Sequence, residues 1–384
     1  MRTASFLGIL LLCSALHADI DFRMENTNFT LSQASYDPQE DVRYLYNYNR
    51  LRGYADWHEG NFFIKAIGDV VNYLGEDFTT STSFGYIEQL HSDTCWKTQS
   101  RFNHYSNGAV NTKLYRLYGG YEDDKNRVVL GLQNITMGIG HIWTPSNLFN
   151  PKNTYALEPD ETFGVTALSY TRYLSGQSQI YGVVSQRRDK SCKYAAGVKT
   201  TLGTVDVALN TIKSDDTKMA AYAIEGDLGD TGIELRSEGA YIKSTINTSN
   251  TLKEEKTFFQ GILGADYAFQ EGLNLTVEAL YSSETFTYAE IVANIGEEIA
   301  GDLVMSHFYL GTSMRYDFTI YLSASLLYIE SFNDQNSRFI SPNLTYTLND
   351  NNTLTFGAQL YGGADNSEFG RWGNTYYLKY VFSY

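Results

Sequence analysis

His58, His91, His104, His141 and His307 are the histidines beyond residue 18 of this 384-residue chain, and Cys95 and Cys192 are its cysteines there. Side chains of these types, with Ser, Asp and Glu, carry acid–base, nucleophilic and metal chemistry when they converge from separate segments. The run His91–Ser92–Asp93 holds the three members of a hydrolytic triad, but adjacent residues cannot present their side chains to one another in that way. The chain has no HExxH, no spaced Cys/His set and no phosphate-binding glycine loop. Glu297, Glu298 and Asp302 offer oxygen ligands of the kind calcium takes, although acidic loops are ordinarily just solvated. The sequence therefore implies no catalytic residue, no metal and no cofactor. What remains is charge. Arg50, Arg52, Lys65, Arg116 and Arg127 lie in the first third, and Asp206, Glu225, Glu234, Glu238 and Glu278 lie beyond residue 200.

These charges matter only if the elements carrying them bring them to one face. The elements read as strands. Leu273, Leu275, Val277, Ala279 and Tyr281 alternate with Asn274, Thr276 and Glu278. Ile320, Leu322, Ala324, Leu326 and Tyr328 alternate with Tyr321, Ser323 and Ser325, and Leu354, Phe356, Ala358 and Leu360 alternate with Thr355, Gly357, Gln359 and Tyr361. Such segments, about ten residues long with period two, suit a tilted strand crossing a bilayer, whereas strands of soluble sandwiches run nearer five or six. The composition agrees: 31 Tyr, 21 Phe and 32 Gly with only five Pro suit an apolar outer band, aromatic girdles and a polar interior. A formal net charge of −15 favours solubility and speaks against a nucleic-acid partner.

The ends of the chain point the same way. Arg2, the apolar run Phe6 to Leu12 and the small residues up to Ala18 have the layout of a secretory signal peptide, with cleavage expected before Asp19. Cys13 raises a lipoprotein alternative, but Leu12 stands where a lipobox wants a small residue. Nothing in 19–384 is apolar for long enough to span as a helix. A closed all-β antiparallel barrel is then the remaining way to cross hydrocarbon with every backbone group satisfied. Tyr376, Leu378, Tyr380, Phe382 and Tyr384 share one face of the last segment. This resembles the terminal-strand signal read by the outer-membrane barrel assembly machinery.

Connection lengths set the topology. Short turns are expected near His58–Gly60, Asp123–Lys125, Ser175–Gln177, Leu202–Thr204, Gly229–Thr231, Gln270–Gly272, Asp317 and Asn349–Asn351. Longer connections fall near Glu76–Asn107, Gly138–Gly164, Lys243–Glu255, Ser283–Asp302 and Gly363–Gly370. With short turns periplasmic, the count is about 18 strands if Phe22 to Ser32 forms the first, and 16 if it does not. The domain plan is a signal peptide, 1–18, and one outer-membrane barrel domain, 19–384. Outer-membrane lipid and lipopolysaccharide are its expected surroundings in a Gram-negative bacterium, and homo-oligomerisation stays open.

The segment 138–164 holds three of the five prolines, Pro145, Pro151 and Pro159, and cannot be a central strand. Its aromatic residues must pack on something, and the inner wall is the large sheltered surface beside an outer loop. Trp143 and Phe149 are the expected anchors, and Glu158, Asp160 and Glu161 are expected to confront Arg50, Arg52 and Arg116. By the alternation, all ten wall charges named above point inward. Opposed basic and acidic walls would impose a transverse field on a pore. Cys95 falls in the second outer loop and Cys192 in the fourth, on one side of the membrane, so a disulfide is an open expectation.

Tyr115–Arg116–Leu117–Tyr118, the strand Val128 to Gln133, and Trp143–Thr144–Pro145–Ser146–Asn147–Leu148–Phe149–Asn150–Pro151 resemble porin-like outer-membrane barrels of Gram-negative bacteria. In those a W-N-P-T-D-L-F-N-P-type loop follows an R-L-Y strand pair; this chain departs from it at Thr144, Ser146 and Asn147. The resemblance implies a passive diffusion channel for small polar solutes, with the 138–164 loop as its constriction. The alternatives are a barrel serving export or assembly, or one that displays its loops for surface interaction.

Overall fold

The computed structural model describes residues 20–35, 40–249, 252–294, 303–333 and 336–384. The expected signal peptide, 1–18, and the acidic group Glu297, Glu298 and Asp302 lie outside the described residues.

Eighteen antiparallel strands follow one another around a closed sheet. They are β1 (Ile20–Ala34), β2 (Arg43–Glu59), β3 (Phe62–Leu74), β4 (Gly108–Glu122), β5 (Asn126–Gln133), β6 (Val165–Ser175), β7 (Ser178–Gln186), β8 (Cys192–Leu202) and β9 (Val205–Lys213). The ring continues through β10 (Thr217–Asp227), β11 (Ile233–Asn247), β12 (Lys253–Ala268), β13 (Leu273–Ser282), β14 (Phe308–Asp317), β15 (Leu322–Phe332), β16 (Ser337–Asn349), β17 (Asn352–Gly362) and β18 (Thr375–Ser383). Closure is made by β18 on β1, Ser383 opposite Glu25. The segment near Phe22 to Ser32 is thus a full strand, and the count is eighteen rather than sixteen. A ring leaves no unpaired edge, which is the condition for placing a sheet in hydrocarbon.

Turns at one end are short. Gly60 and Gly203, at φ +56° and +68°, take conformations that a side chain resists. One expectation is corrected here: Ile320 and Tyr321 belong to the turn, not to β15. The Thr319 hydroxyl accepts from the N–H groups of Tyr321 and Leu322, which extends the turn and starts β15 at Leu322. A second correction shortens the expected loop at Lys243–Glu255, because β11 and β12 stay paired up to Asn247 opposite Lys253.

The outward face is apolar: Leu263 is 67 % exposed, Leu209 55 % and Phe356 54 %. The inward face is divided. Toward the short turns it carries Arg127, Lys199, Asp206, Thr276 and Thr345. Toward the long connections it carries Ile242, Ile262, Leu280, Tyr309, Ile329 and Phe339, all buried. Connections fold in to cover those apolar positions: L2 (75–107) supplies Phe78 and Phe84, L3 (134–164) supplies Ile142, Trp143, Leu148 and Phe149, L7 (283–307) supplies Phe286 and Val304, and L9 (363–374) supplies Phe369. The interior is therefore wet in one half and packed in the other.

Candidate functional site

L3 crosses the lumen, and its own chemistry explains how. Its first limb is extended, with Ile135 and Met137 buried on the wall and Asn134 and Thr136 exposed. Asn150 Oδ1 accepts from Ile135 N (2.6 Å) and Asn147 Nδ2 donates to Asn150 O (2.7 Å), so the asparagines do the work that proline-bearing backbone cannot. The next residues turn their N–H groups outward toward two strand carboxylates. Glu238 on β11 accepts from Ile139 N (2.7 Å), Gly140 N (3.1 Å), Ser146 N (2.8 Å) and Ser146 Oγ (2.6 Å). Glu278 on β13 accepts from His141 N (3.0 Å), Ile142 N (3.2 Å) and Trp143 N (2.7 Å). Both carboxylates are fully buried. Charge-assisted bonds of this kind are about twice as strong as neutral ones.

Both aromatic anchors are buried. Trp143 packs with Ile262 and Leu280 and lies 6.0 Å from the Tyr309 ring. Phe149 packs with Val165, Ala167 and Val183, with Lys193 Nζ 5.1 Å above its ring.

The far limb of L3 meets the basic wall. Arg50 binds Glu158 at 3.0 Å and Arg52 binds Glu161 at 2.8 Å, while Lys379 on β18 reaches Glu158 at 3.0 Å. Arg52 also holds Asp69 with two bonds, 2.7 and 2.8 Å, and stacks over Tyr115 at 3.8 Å. Burial raises the Glu161 carboxyl, but the Arg52 bond and the charges of Arg50 and Arg52 outweigh it and hold the group below its ordinary value.

Three expectations about this wall are corrected. The acids do not face the arginines across a gap; Glu158 and Glu161 touch Arg50 and Arg52. Arg116 takes no carboxylate, donating instead to Thr162 O (2.9 Å) and Tyr115 O (2.7 Å), because the β3–β4 pairing slips past Tyr115 and re-aims it. Asp160 is exposed and pairs with Lys152 within L3 at 3.0 Å.

The remaining charges sit in the wet half, mostly in local pairs: Lys65 with Asp56 (3.2 Å), Arg127 with Glu122 (3.1 Å), Asp206 with Lys199 (2.9 Å) and Glu234 with Arg236 (3.0 Å). Arg127, Lys199, Asp206 and Glu225 line a cavity of about 330 Å³ beneath the first limb of L3. The clean segregation of sign is broken by Arg236, which is fully buried within the acidic wall and bonds Asp266 as well as Glu234. Its position two residues from both Glu234 and Glu238 gave the same inward parity, so the signal was available. Asp69 shares parity with Lys65 in the same way.

The cysteines are free thiols, against the open expectation of a bridge. Cys192 is the first residue of β8 rather than part of a loop, fixed opposite Gln186, while Cys95 N donates to Gln186 O at 3.2 Å. His91, Ser92 and Asp93 take separate partners, Asp93 accepting from Arg187 at 2.8 Å and Ser92 donating to Gly164 O. Among the described residues no group of His, Cys, Asp and Glu is arranged to hold a metal.

No protein-family model and no curated protein sequence matches the chain. Solved structures do. OccAB1 of Acinetobacter baumannii aligns with a TM-score of 0.64 at 10 % identity, covering 95 % of this chain and 96 % of that one. The barrel is a porin barrel in shape. A BenF-like porin from Pseudomonas fluorescens Pf-5 aligns with a TM-score of 0.61 at 11 % identity (95 % and 98 % covered), and OpdK of Pseudomonas aeruginosa, solved with vanillate, with 0.58 at 10 % (96 % and 98 %). At such identities the likeness is one of fold.

Proposed function

We propose that the chain is a passive outer-membrane channel for small polar solutes in a Gram-negative bacterium, with L3 as its constriction. The observation that carries this reading is the seating of L3 on Glu238 and Glu278. These are inward positions of one wall, and the same loop bonds Arg50 and Arg52 on β2, so it spans the lumen between the two walls. The apolar outward face supports a membrane setting. One neighbour in fold is a BenF-like porin, and another, OpdK, was solved with vanillate, a small aromatic carboxylate. Solutes of that size match the cavity of about 330 Å³ under L3.

Selectivity follows from the clasp between L3 and the basic wall. Arg50, Arg52 and Lys379 are paired there with Glu25, Glu158, Glu161 and Asp69, and Arg116 stands beside them without a carboxylate. Removing two carboxylates leaves the cations in excess in a narrow, low-dielectric passage. Single channels of the refolded protein in planar bilayers are the test. The wild type is expected to conduct, and Glu158→Gln with Glu161→Gln is expected to shift the reversal potential toward anions. A silent wild type contradicts the channel; an unshifted potential contradicts the assignment of the clasp to the pathway.

A further inference from the structure

L2 carries a basic groove that passage through the barrel does not use. A hollow of about 1050 Å³ on the long-connection side is bordered by Lys97, Arg101 and Arg188. All three are exposed, and none pairs with a carboxylate among the described residues. The neighbouring acids are already engaged: Glu88 by His104 at 2.9 Å, Asp93 by Arg187 at 2.8 Å, and Asp189 by Ser191 at 2.6 Å. In a chain of formal net charge −15, three cations against the one acid that lines the hollow, Glu88, are a local reversal of sign.

The groove also stands at the outward edge of the rim. Leu130 faces outward at 62 % exposure, yet Leu132, on the same face, is 1 % exposed. Its cross-strand partner is Thr166, whose N–H donates to Thr94 Oγ1 at 3.0 Å. L2 therefore passes over the rim on its outer side at Thr94. Trp96 follows two residues later, 41 % exposed, and an indole with one wet edge suits the boundary between headgroups and hydrocarbon.

We propose that this groove binds the phosphorylated headgroup of an outer-leaflet glycolipid, with Lys97, Arg101 and Arg188 taking its phosphates and Trp96 lying at the level of its sugars. Guanidinium groups match phosphate with paired bonds and lysine adds a point charge. A saccharide bearing two phosphates is wide enough to span separated cations, which a free phosphate is not. The inference rests on the outer-membrane reading above, and its test is independent of conductance.

Native mass spectrometry of the folded, detergent-purified protein is run with rough-type lipopolysaccharide, with its phosphatase-treated form, and with excess inorganic phosphate as competitor. The wild type is expected to retain the intact glycolipid, to lose it when the phosphates are removed, and to keep it against inorganic phosphate. Lys97→Glu, Arg101→Glu and Arg188→Glu together are expected to lower retention by about tenfold or more, and Lys125→Glu in a short turn at the opposite end to leave it unchanged. Should the triple reversal fail to show heat-modifiable mobility, the triple alanine variant replaces it with the same expected direction. Equal retention of the dephosphorylated form, displacement by inorganic phosphate, or undiminished retention in the folded triple variant overturns the proposal. A wild type that binds glycolipid but does not conduct contradicts only the channel; one that conducts but retains none contradicts only the groove.

Discussion

The two charged walls of the lumen hold the same loop by opposite means. On the β2–β4 side, Arg50 and Arg52 grip the side chains of Glu158 and Glu161. On the β11–β13 side, Glu238 and Glu278 grip the backbone of residues 139–143 and 146. A side-chain clasp depends on which residues L3 carries and responds to salt and charge. A backbone clasp does not, since every non-proline residue brings an N–H. The structure thus separates two tasks: the acidic wall fixes where the loop lies, and the basic wall decides what field the loop presents. The partial exposure of Glu158 and Glu161, against the complete burial of Glu238 and Glu278, fits that division, because buried acceptors make strong bonds and are costly to lose.

Glu238→Ala with Glu278→Ala breaks the comparison most sharply. Six N–H groups and one hydroxyl lose their acceptors, and stranded buried donors cost about 1–3 kcal/mol each where they cannot reach water. Undocking of L3 caps the loss, which is expected on the order of 3–5 kcal/mol. Limited proteolysis should then cut within 134–164, whereas Glu158→Gln with Glu161→Gln should leave that segment resistant. Equal resistance in both double variants would mean that the backbone clasp does not position the loop.

Both walls rely on one register, and β13 offers a direct check. Leu275→Arg places a charge on the lipid face and is expected to cost about 2–4 kcal/mol near the midplane. Thr276→Arg points into the wet half, beside Asp266 and Thr276's other lumenal neighbours, and is expected to cost little. Urea titrations of the folded barrel in vesicles measure the difference, and equal costs would reverse the faces.

The smallest effect concerns a third attachment, in L9. Burial pushes the Glu368 carboxyl up to about 7, despite bonds from Tyr309 Oη at 2.5 Å and Ser331 Oγ at 3.1 Å. A carboxyl with a folded pKa above its unfolded value holds a proton in the docked loop that it loses when released. Stability of that packing is therefore greatest below the unfolded value of 4.5 and falls as pH rises toward 7. Hydrogen exchange of 363–374 should quicken between pH 5 and pH 8 beyond the intrinsic rate change, and Glu368→Gln should flatten the excess.

The closed barrel, a strand count narrowed to eighteen or sixteen, and the loop that seeks an inner surface were legible in the sequence. Alternation over ten residues reports a sheet with two different faces, and Trp143 and Phe149 in a proline-rich segment announce a loop that needs a surface. The surface itself was harder to see. Ile242, Ile262, Leu280, Ile329 and Phe339 are apolar residues at inward positions, and period-two reasoning treats the inward set as uniformly polar. Their common place at the long-connection ends of their strands marks where loops dock, but only the register reveals that they share a level. The anchoring role of Glu238 and Glu278 was hidden for a related reason: a carboxylate that binds solute and one that binds backbone look alike until the loop is placed. Arg236 shows the complementary fault, since sorting charges by sign along the chain passed over a cation of the same parity.

The central claim is that L3 occupies the lumen and narrows it. Deleting Thr144 to Glu161 removes the far limb, with Phe149 and both clasping acids, and keeps every strand. Single-channel recording of this variant beside the wild type should give conductance several-fold higher and a reversal potential moved toward anions, because Arg50 and Arg52 then lose Glu158 and Glu161 and face open water. Unchanged conductance and selectivity would contradict the account, placing L3 outside the path that ions take.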